Sequence, residues 1–332
     1  MNGTTLVRGL SVSVPIETQT IAREPSARSS ASAPNYDSGS VRTCLLRSSL
    51  ALVEDLRSSG MSPRRSNEQY SAEFQVCLPY RGIFVWHVGN DDVVGDANQV
   101  LFVAGGESFS LSQPCWAEYA ELIITPDRGL LEEIADGAAA PLTVHPLFRR
   151  RSRRVDFDLQ QLRARFVHAA LAGDASGPAL EECTIALLRA ALENGGQPGP
   201  ASGATRRLIR RTKEFLQTNL SGPVRLIDVA RAVGASPAYL TDVFRRIEGI
   251  PLHGYLTQLR LARALEELRD ADDLTTLALN LGFSSHSHFS AAFRGAFGCT
   301  PSRFRDTCRR RMSANRPSPA VVTPDVPGSR DS

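Results

Sequence analysis

The sequence predicts an α+β protein of more than one domain, in which a small β-barrel with two helices precedes an all-α domain. Three observations lead to this prediction. Short β-rich runs occupy residues 70–125, apolar residues at helical spacing fill residues 155–193, and one helical unit occurs twice after residue 205. A chain of 332 residues, 42% of them hydrophobic, has enough apolar material for two packed cores.

The first part of the chain, residues 1–66, is rich in Ser, Arg, Thr and Pro, so we expect it to be disordered. Met61 lies just ahead of the first strand-like run. We therefore hypothesise that translation starts at Met61 rather than Met1. No apolar run approaches the roughly 18 residues that cross a bilayer, and residues 1–20 lack the pattern of a signal peptide. These features predict a cytoplasmic protein without a membrane partner.

The next part, residues 67–193, begins with strand-like runs separated by Pro, Gly, Asn and Asp: AEFQVCL, GIFVWHV, QVLFVA, ESFSLS and AEYAELII. This pattern is typical of a small barrel or sandwich. The polar or aromatic side chains in these runs that are candidates for orienting a ligand are Arg81, Trp86, His87 and Tyr119. The alternatives are that Trp86 fills the core and that His87 is a hydrogen-bonded core residue.

Two amphipathic helices are expected after the barrel, within residues 155–171 and 178–193, because apolar residues recur there at spacings of three and four. The basic run RRRSRR at residues 149–154 precedes them. We interpret it as a solvated loop, with an accessory phosphate contact as the alternative. Residues 194–204, NGGQPGPASGA, have no packing signal and predict a flexible linker.

A duplicated unit organises residues 205–308. In its second copy, apolar residues at helical spacing end at Gly282, and Ser284 or Ser285 then caps another helix that ends at Gly298. Residues 226–249 repeat this pattern. Two short helices around a tight turn predict a helix-turn-helix in each copy. The helix expected between the copies, residues 251–269, would span about 28 Å at roughly 1.5 Å per residue, which suits two helices in successive major grooves.

The outward face of the second helix in each copy predicts the DNA-reading residues. In the first copy they are Ala238, Thr241, Asp242 and Arg245, and in the second copy they are His286, Ser287, Ser290, Ala291 and Arg294, with His288 at the edge. The N-terminal part of a recognition helix lies deepest in the groove, so His286 is the candidate for a base contact. The alternative for His286 is a capping or surface role. Arg294 is expected to contact phosphate.

The charge of the chain is divided between its two halves. Residues 201–311 hold 18 Lys or Arg against 10 Asp or Glu, a net charge of +8, whereas residues 67–200 hold 10 against 18, a net charge of −8. Only the C-terminal half therefore suits a polyanion. Among its basic residues, Arg210 and Arg211 are expected to neutralise DNA phosphates and to make binding salt-dependent.

These motifs resemble the AraC/XylS family of bacterial transcription regulators over residues 205–308. The residues that match the family's signature are Ser236, Pro237, Leu240, Phe244, Gly249, Arg260, Ala278, Gly282, Phe283, Ser287, Phe289, Phe293, Phe297, Gly298 and Pro301. The resemblance implies a seven-helix, double helix-turn-helix domain. We expect residues 309–332 to form a disordered tail. Asp242 and Ala291 depart from the family, whose members often carry arginine or another long polar residue there.

The strand-rich region resembles, more loosely, the cupin-like sensor domains that precede such DNA-binding domains. This resemblance implies an unknown small-molecule effector, and it makes the two helices either a homodimer interface or a cover for the barrel. Metal-binding cupins carry a pair of histidines and a glutamate, whereas His87 stands alone, so we expect neither a metal nor another cofactor.

The function implied is that of a bacterial, nucleoid-associated transcription factor that binds double-stranded promoter DNA and contacts RNA polymerase. Whether it is an activator or a repressor is left open. Two other classes are alternatives: a cupin-type enzyme fused to a DNA-binding module, and an architectural DNA-binding protein without a sensor. The first lacks the metal ligands and any other catalytic motif, so we expect a protein that is not an enzyme.

Overall fold

The computed structural model shows a β-rich region followed by a helical region, in the predicted order. The residues that it describes are 40–59, 64–114, 118–134, 151–173, 175–192 and 201–314. We call the described part of residues 40–192 the β-domain and residues 201–314 the helical domain. No helix among these residues is both long and apolar enough to span a membrane.

The strands of the β-domain are antiparallel to their neighbours and form two sheets. They are β1 (Ser40–Arg47), β2 (Ala51–Ser58), β3 (Gln69–Ser71), β4 (Gln75–Arg81), β5 (Ile83–Val88), β6 (Asp91–Asp96), β7 (Gln99–Val103), β8 (Glu107–Ser112), β9 (Tyr119–Pro126) and β10 (Ser152–Arg154). The larger sheet has the order β1-β2-β9-β4-β7-β10, and the smaller has the order β3-β8-β5-β6. The predicted barrel is corrected, because the described strands form two open sheets. Alternation along a strand indicates its faces but not whether the edges of a sheet meet.

The two sheets pack against each other through side chains that alternate along their strands. The cluster between the sheets includes Phe84 and Trp86 from β5, Phe109 from β8, and Leu101 and Ile123 from the larger sheet. The other face of the larger sheet is also buried, under the helices α1 (Arg128–Ile134), α2 (Phe157–Ala172) and α3 (Gly177–Leu192). The alternative that the two predicted helices cover one face of the β-domain is thus the arrangement seen within this chain.

The hairpin β1–β2 corrects the prediction that residues 1–66 are disordered. Strand β2 pairs along its whole length with β9, and its side chains Val53 and Leu56 are fully buried, one on each face of the sheet. A chain that started at Met61 would lack β2, which is an interior strand of the larger sheet. The apolar run at residues 44–56 was the signal for these strands. Residues 1–39 lie outside the described part.

The basic run at residues 149–154 is corrected as well. Its residues 152–154 form strand β10, which pairs with β7. Arg153 is 8% exposed and donates a hydrogen bond to the Ala190 carbonyl oxygen at 2.5 Å, and Arg151 pairs with Glu107. An arginine-rich run can therefore line an edge strand when its charges find partners in the fold. Residues 149 and 150 lie outside the described part.

The helical domain is formed by α4 (Gly203–Thr218), α5 (Leu226–Val233), α6 (Pro237–Glu248), α7 (Leu252–Glu267), α8 (Leu274–Asn280), α9 (His286–Phe297) and α10 (Pro301–Ala314). Helix α4 begins inside the predicted linker, because the Ser202 side chain caps it by accepting a hydrogen bond from the Thr205 N–H at 3.2 Å. Helix α10 continues six residues into the predicted tail. The rest of the linker, residues 194–200, and of the tail lies outside the described residues.

Candidate nucleic-acid interface

The first helix-turn-helix unit, the first head, consists of α5 and α6. Helix α5 ends at Gly234, whose φ of 72° is a left-handed value that glycine adopts without strain. Helix α6 begins with Pro237 in its first turn, and the Ser236 side chain caps it by accepting a hydrogen bond from the Tyr239 N–H at 3.3 Å. The buried face of α6 consists of Leu240, Val243, Phe244 and Ile247. Its opposite face is left to solvent.

The second head consists of α8 and α9. The turn between them requires glycine at Gly282, because φ is 79° and a Cβ atom would lie 2.6 Å from the Leu220 carbonyl oxygen. The Ser285 side chain then caps α9 by accepting a hydrogen bond from the His288 N–H at 3.1 Å. The buried face of α9 consists of Phe289, Phe293 and Phe297. This head therefore repeats the construction of the first, as predicted.

Helix α7 joins the two heads and belongs to both of their cores. Its residues Tyr255 and Leu259 pack in the core of the first head, whereas Leu261 and Leu265 pack in that of the second. Arg260 also reaches from α7 to the segment between α4 and α5, where it donates hydrogen bonds to two backbone carbonyl oxygens at 3.0 and 2.6 Å. The relative orientation of the heads is therefore fixed by one buried helix.

The predicted reading residues of the first head all lie on its exposed face: Ala238, Thr241, Asp242 and Arg245. Between them the structure adds Tyr239, which is 53% exposed and which the sequence analysis missed. Its spacing of three residues before Asp242 was the signal that could have found it, because residues three apart are neighbours on a helix.

The predicted reading residues of the second head also share one face, but not all of them are equally accessible. Those that are exposed are Ser287, His288, Ala291 and Arg294. His286 and Ser290 are partly buried, and the His286 Nε2 lies 3.4 Å from the Ser290 hydroxyl. His288 Nδ1 lies 3.0 Å from the Ser284 hydroxyl, and its ring packs edge-on against Phe283. A contact within α9 thus orients His286, and contacts with the turn before α9 orient His288.

Known proteins match the chain over these two heads. A family model described as a helix-turn-helix domain matches residues 229–307. Regulatory protein SoxS of Salmonella typhimurium is 33% identical over 99 residues, which cover 30% of this chain and 92% of SoxS. The chain belongs to the AraC/XylS family.

Other members of this family are larger than the shared region. Regulatory protein PocR of Salmonella typhimurium is 33% identical over 98 residues, which are 29% of this chain and 32% of PocR, so the chain spans about a third of that relative's length. Among solved structures, the C-terminal domain of AraT, a response regulator from Geobacillus stearothermophilus, is 29% identical. The match covers 30% of this chain and 84% of the AraT domain, with a TM-score of 0.29.

Arg210 and Arg211, the two candidate phosphate contacts of this AraC/XylS family member, lie in different surroundings. Arg211 is exposed and lines a groove with Arg207 and Tyr239 beside the first head. Arg210 is partly buried and forms ion pairs with Asp92 of the β-domain at 3.2 Å and with Glu214 at 3.5 Å. The structure therefore brings Arg207 into the basic groove in place of Arg210. The sequence shows both arginines in one basic cluster, but it does not show in which direction each side chain extends.

The four candidate ligand residues are not gathered around one cavity. Trp86 and Tyr119 are 2% and 1% exposed in the core between the sheets, so the alternative that Trp86 fills the core holds. His87 lies 2.6 Å from Asp92 and 2.8 Å from the Ser112 hydroxyl, as expected for a hydrogen-bonded core residue. Arg81 pairs with Glu266 of α7 at 2.9 Å. Two of these candidates therefore contact the helical domain, Arg81 directly and His87 through Asp92.

Among the described residues, no three His, Cys, Asp or Glu side chains are grouped so that they could hold a metal ion. The acidic residues of the β-domain serve other contacts. Glu121, which is 4% exposed, has its pKa raised to about 7 by burial, and Tyr80 donates a hydrogen bond to Asp55 at 2.5 Å. Both carboxyl groups therefore lie inside the fold.

Proposed function

We propose that the protein is a sequence-specific transcription regulator that reads promoter DNA with the exposed faces of α6 and α9. The observation that carries this proposal is the pair of capped helices joined by the buried helix α7. Each helix presents polar side chains at its N-terminal half, which is the part of a recognition helix that contacts base edges. The net charge of +8 on residues 201–311 supports binding of a polyanion.

The second part of the proposal is that the β-domain controls the heads in response to a small-molecule effector. Contacts between the domains support this role. The Tyr255 hydroxyl of α7 donates to Asp96 at 2.7 Å, the Asn98 side chain donates to the Tyr255 carbonyl oxygen at 3.1 Å, and Gln99 bonds Glu248 of α6 at 3.2 Å. A ligand that changed the position of β6 or β7 would therefore change the position of the heads.

The remaining expectations belong to the same proposal: a cupin-like sensor, a seven-helix reader at residues 205–308, promoter DNA and RNA polymerase as partners, and a homodimer. A regulator that acts on bacterial promoters works in the cytoplasm. That the matched relatives are named as regulators supports a role other than catalysis.

The test is a comparison of operator and scrambled DNA. A genome-wide footprint of the full chain identifies candidate operators, and fluorescence anisotropy then measures the dissociation constants of both DNAs at one salt concentration. We expect the operator to bind at least about 10³-fold more tightly. Equal affinity for both DNAs would instead indicate an architectural DNA-binding protein.

The role of the β-domain has its own test. Tyr255→Phe removes the hydroxyl that bonds Asp96 while it keeps the packed ring, so the two heads should stay folded. If the β-domain controls the heads, operator affinity changes at least severalfold while the far-ultraviolet circular dichroism stays the same. Thr257→Ala, which removes a partly buried hydroxyl bonded only within α7 among described groups, is the matched control. Identical operator affinity in both variants would count against control through this contact.

A further inference from the structure

A cavity of about 360 Å³ lies where α2 of the β-domain packs against α9 and α10. Its volume falls in the range of small-molecule sites, which is roughly 300 to 1,000 Å³. The walls come from both domains, since Arg165 and His168 lie on α2, whereas Phe297 ends α9 and Arg303 lies on α10. A molecule bound here would contact the β-domain and the second head at the same time.

The rim of this cavity is cationic. Arg165, Arg269 and Arg303 line it, and none of its described lining residues is Asp or Glu. Arg269 already has a counter-ion, because two of its nitrogens donate to Asp270 at 3.0 Å each. Arg165 and Arg303 make no ion pair with a described carboxylate. Two cations from two domains thus line one space without a described counter-ion, and both would attract an anion bound between them.

The floor of the cavity is apolar. It contains Phe297 and Phe304, which are 9% and 3% exposed. His168 adds an uncharged ring, because burial and, to a lesser degree, the charge of Arg269 lower its pKa to about 4. Its Nδ1 lies 3.6 Å from the Cys308 sulfur. The cavity therefore combines two guanidinium groups at its rim with an aromatic floor.

We propose that this cavity binds a small organic carboxylate whose apolar body rests on Phe297 and Phe304 and whose carboxylate lies between Arg165 and Arg303. Guanidinium groups match the planar geometry of a carboxylate and bind it through two parallel hydrogen bonds. This inference rests on the proposed function and names the effector class and its place. Bound ligand would join α2 to α10 and hold the second head against the β-domain.

The test measures the thermal stability of the full chain with 3-phenylpropionate, because binding to the folded state raises the Tm in a saturable way. The neutral analogue 3-phenylpropanol and inorganic phosphate are compared at the same concentrations and ionic strength. We expect a saturable rise with 3-phenylpropionate alone. No saturable rise with this acid, or an equal rise with the alcohol or with phosphate, overturns the proposal.

Two variants locate the effect. Arg165→Gln and Arg303→Gln each remove one cation from exposed positions, so both variants should fold with nearly unchanged Tm in the absence of ligand. Each should raise the dissociation constant for 3-phenylpropionate by about tenfold or more, since hydrogen bonds to charged groups contribute about 1.5 to 3 kcal/mol. Arg189→Gln, at an exposed arginine on α3, is the matched control and should bind like the wild type. Wild-type affinity in both cavity variants would place the ligand elsewhere.

Operator binding measured on the same samples separates this inference from the function on which it rests. If the protein prefers its operator but 3-phenylpropionate changes neither Tm nor operator affinity, the cavity proposal fails and the DNA-binding proposal stands. If the acid binds through Arg165 and Arg303 but operator and scrambled DNA bind equally, the anion site stands and the regulatory function fails.

Discussion

The two heads repeat one construction, yet they are attached to the β-domain by different kinds of contact. The first head contacts the β-domain through a polar group, because Glu248 at the end of α6 accepts a hydrogen bond from Gln99 of β7 at 3.2 Å. Glu248 is also paired with Lys213 of α4 at 2.8 Å, and both charged side chains are 5% exposed. The second head is attached through rings, where Phe157 of α2 packs edge-on against Phe297 of α9 with centroids 5.6 Å apart. The Gln161 side chain of α2 adds a hydrogen bond to the Phe297 carbonyl oxygen at 3.5 Å, so the second attachment is mainly apolar whereas the first is mainly polar.

This difference indicates which head is held in one position and which head can change its position. Hydrogen bonds and buried ion pairs weaken steeply when distances and angles change, so they define the position of the first head. Apolar packing has no preferred direction, and the second attachment also leaves the cavity beside Phe297 and Phe304. We therefore expect the second head to be the one whose position a ligand changes. Four predictions follow in order of decreasing effect, on the two attachments first and then on the DNA-facing residues of the heads.

The largest effect is expected at the ion pair between Lys213 of α4 and Glu248, the residue that accepts the hydrogen bond from Gln99 of the β-domain. Lys213→Met leaves Glu248 buried without its cation, which should lower the free energy of unfolding by about 3 to 5 kcal/mol. Urea denaturation of the full chain measures this change. Arg128→Ala, which removes a surface ion pair with Glu132, should change it by less than about 1 kcal/mol.

A second substitution checks the cause of that loss. If the cost arises from the unpaired charge, the double variant Lys213→Met/Glu248→Gln should recover more than half of it. A loss of less than about 1 kcal/mol in the single variant would show that Glu248 does not depend on Lys213 as its cation.

The next effect is a pH dependence at the apolar attachment. The pKa of His168 is lowered to about 4 in the folded chain, from about 6.5 when unfolded, so between these values only the unfolded chain takes up the proton. Stability is therefore lost as pH falls through this window. Between pH 7 and pH 5 the wild type should lose about 2 kcal/mol more than His168→Gln. Urea denaturation at both pH values measures the difference. Equal losses in the two proteins would show that His168 is not kept neutral by the attachment.

A smaller effect is expected where the heads meet DNA. His286→Ala should cost roughly 1 to 3 kcal/mol on the operator and little on random DNA, because base contacts discriminate between sequences. Arg294→Ala should weaken binding to both DNAs. Anisotropy titrations of the two variants against both DNAs measure these changes. An equal loss on both DNAs for His286→Ala would leave its ring in a structural role beside Ser290.

The smallest effect concerns the salt dependence of DNA binding. Arg211→Ala should lower the slope of log K against log salt by about 1, since Arg211 is exposed in the basic groove. Arg210→Ala should lower it less, because Asp92 and Glu214 already neutralise that guanidinium. Titrations at several salt concentrations give both slopes. Equal reductions would mean that Arg210 leaves Asp92 when DNA binds.

Much of the helical domain could be predicted from local signals. Ser236 and Pro237 indicated the start of α6, Gly249 its end, and the spacing of phenylalanines indicated the buried face of α9. These signals were sufficient because caps, glycine turns and helical periodicity depend on residues within one or two turns of each other. The β-domain was less predictable. The hairpin at residues 40–58 was not predicted, because a short apolar run does not reveal that β2 will pair with β9, a strand that begins only at Tyr119.

The two heads, most of the residues on their exposed faces and the family follow from the identity and spacing of residues along the chain. The tertiary structure alone decided where the cations point. In the folded chain Arg210 pairs with Asp92, and Arg165 lines the same cavity as Arg303, although more than a hundred residues separate the members of each pair. Helical spacing defines the face on which a side chain lies. Only the packing of distant elements decides whether that face meets a carboxylate, a second arginine or solvent.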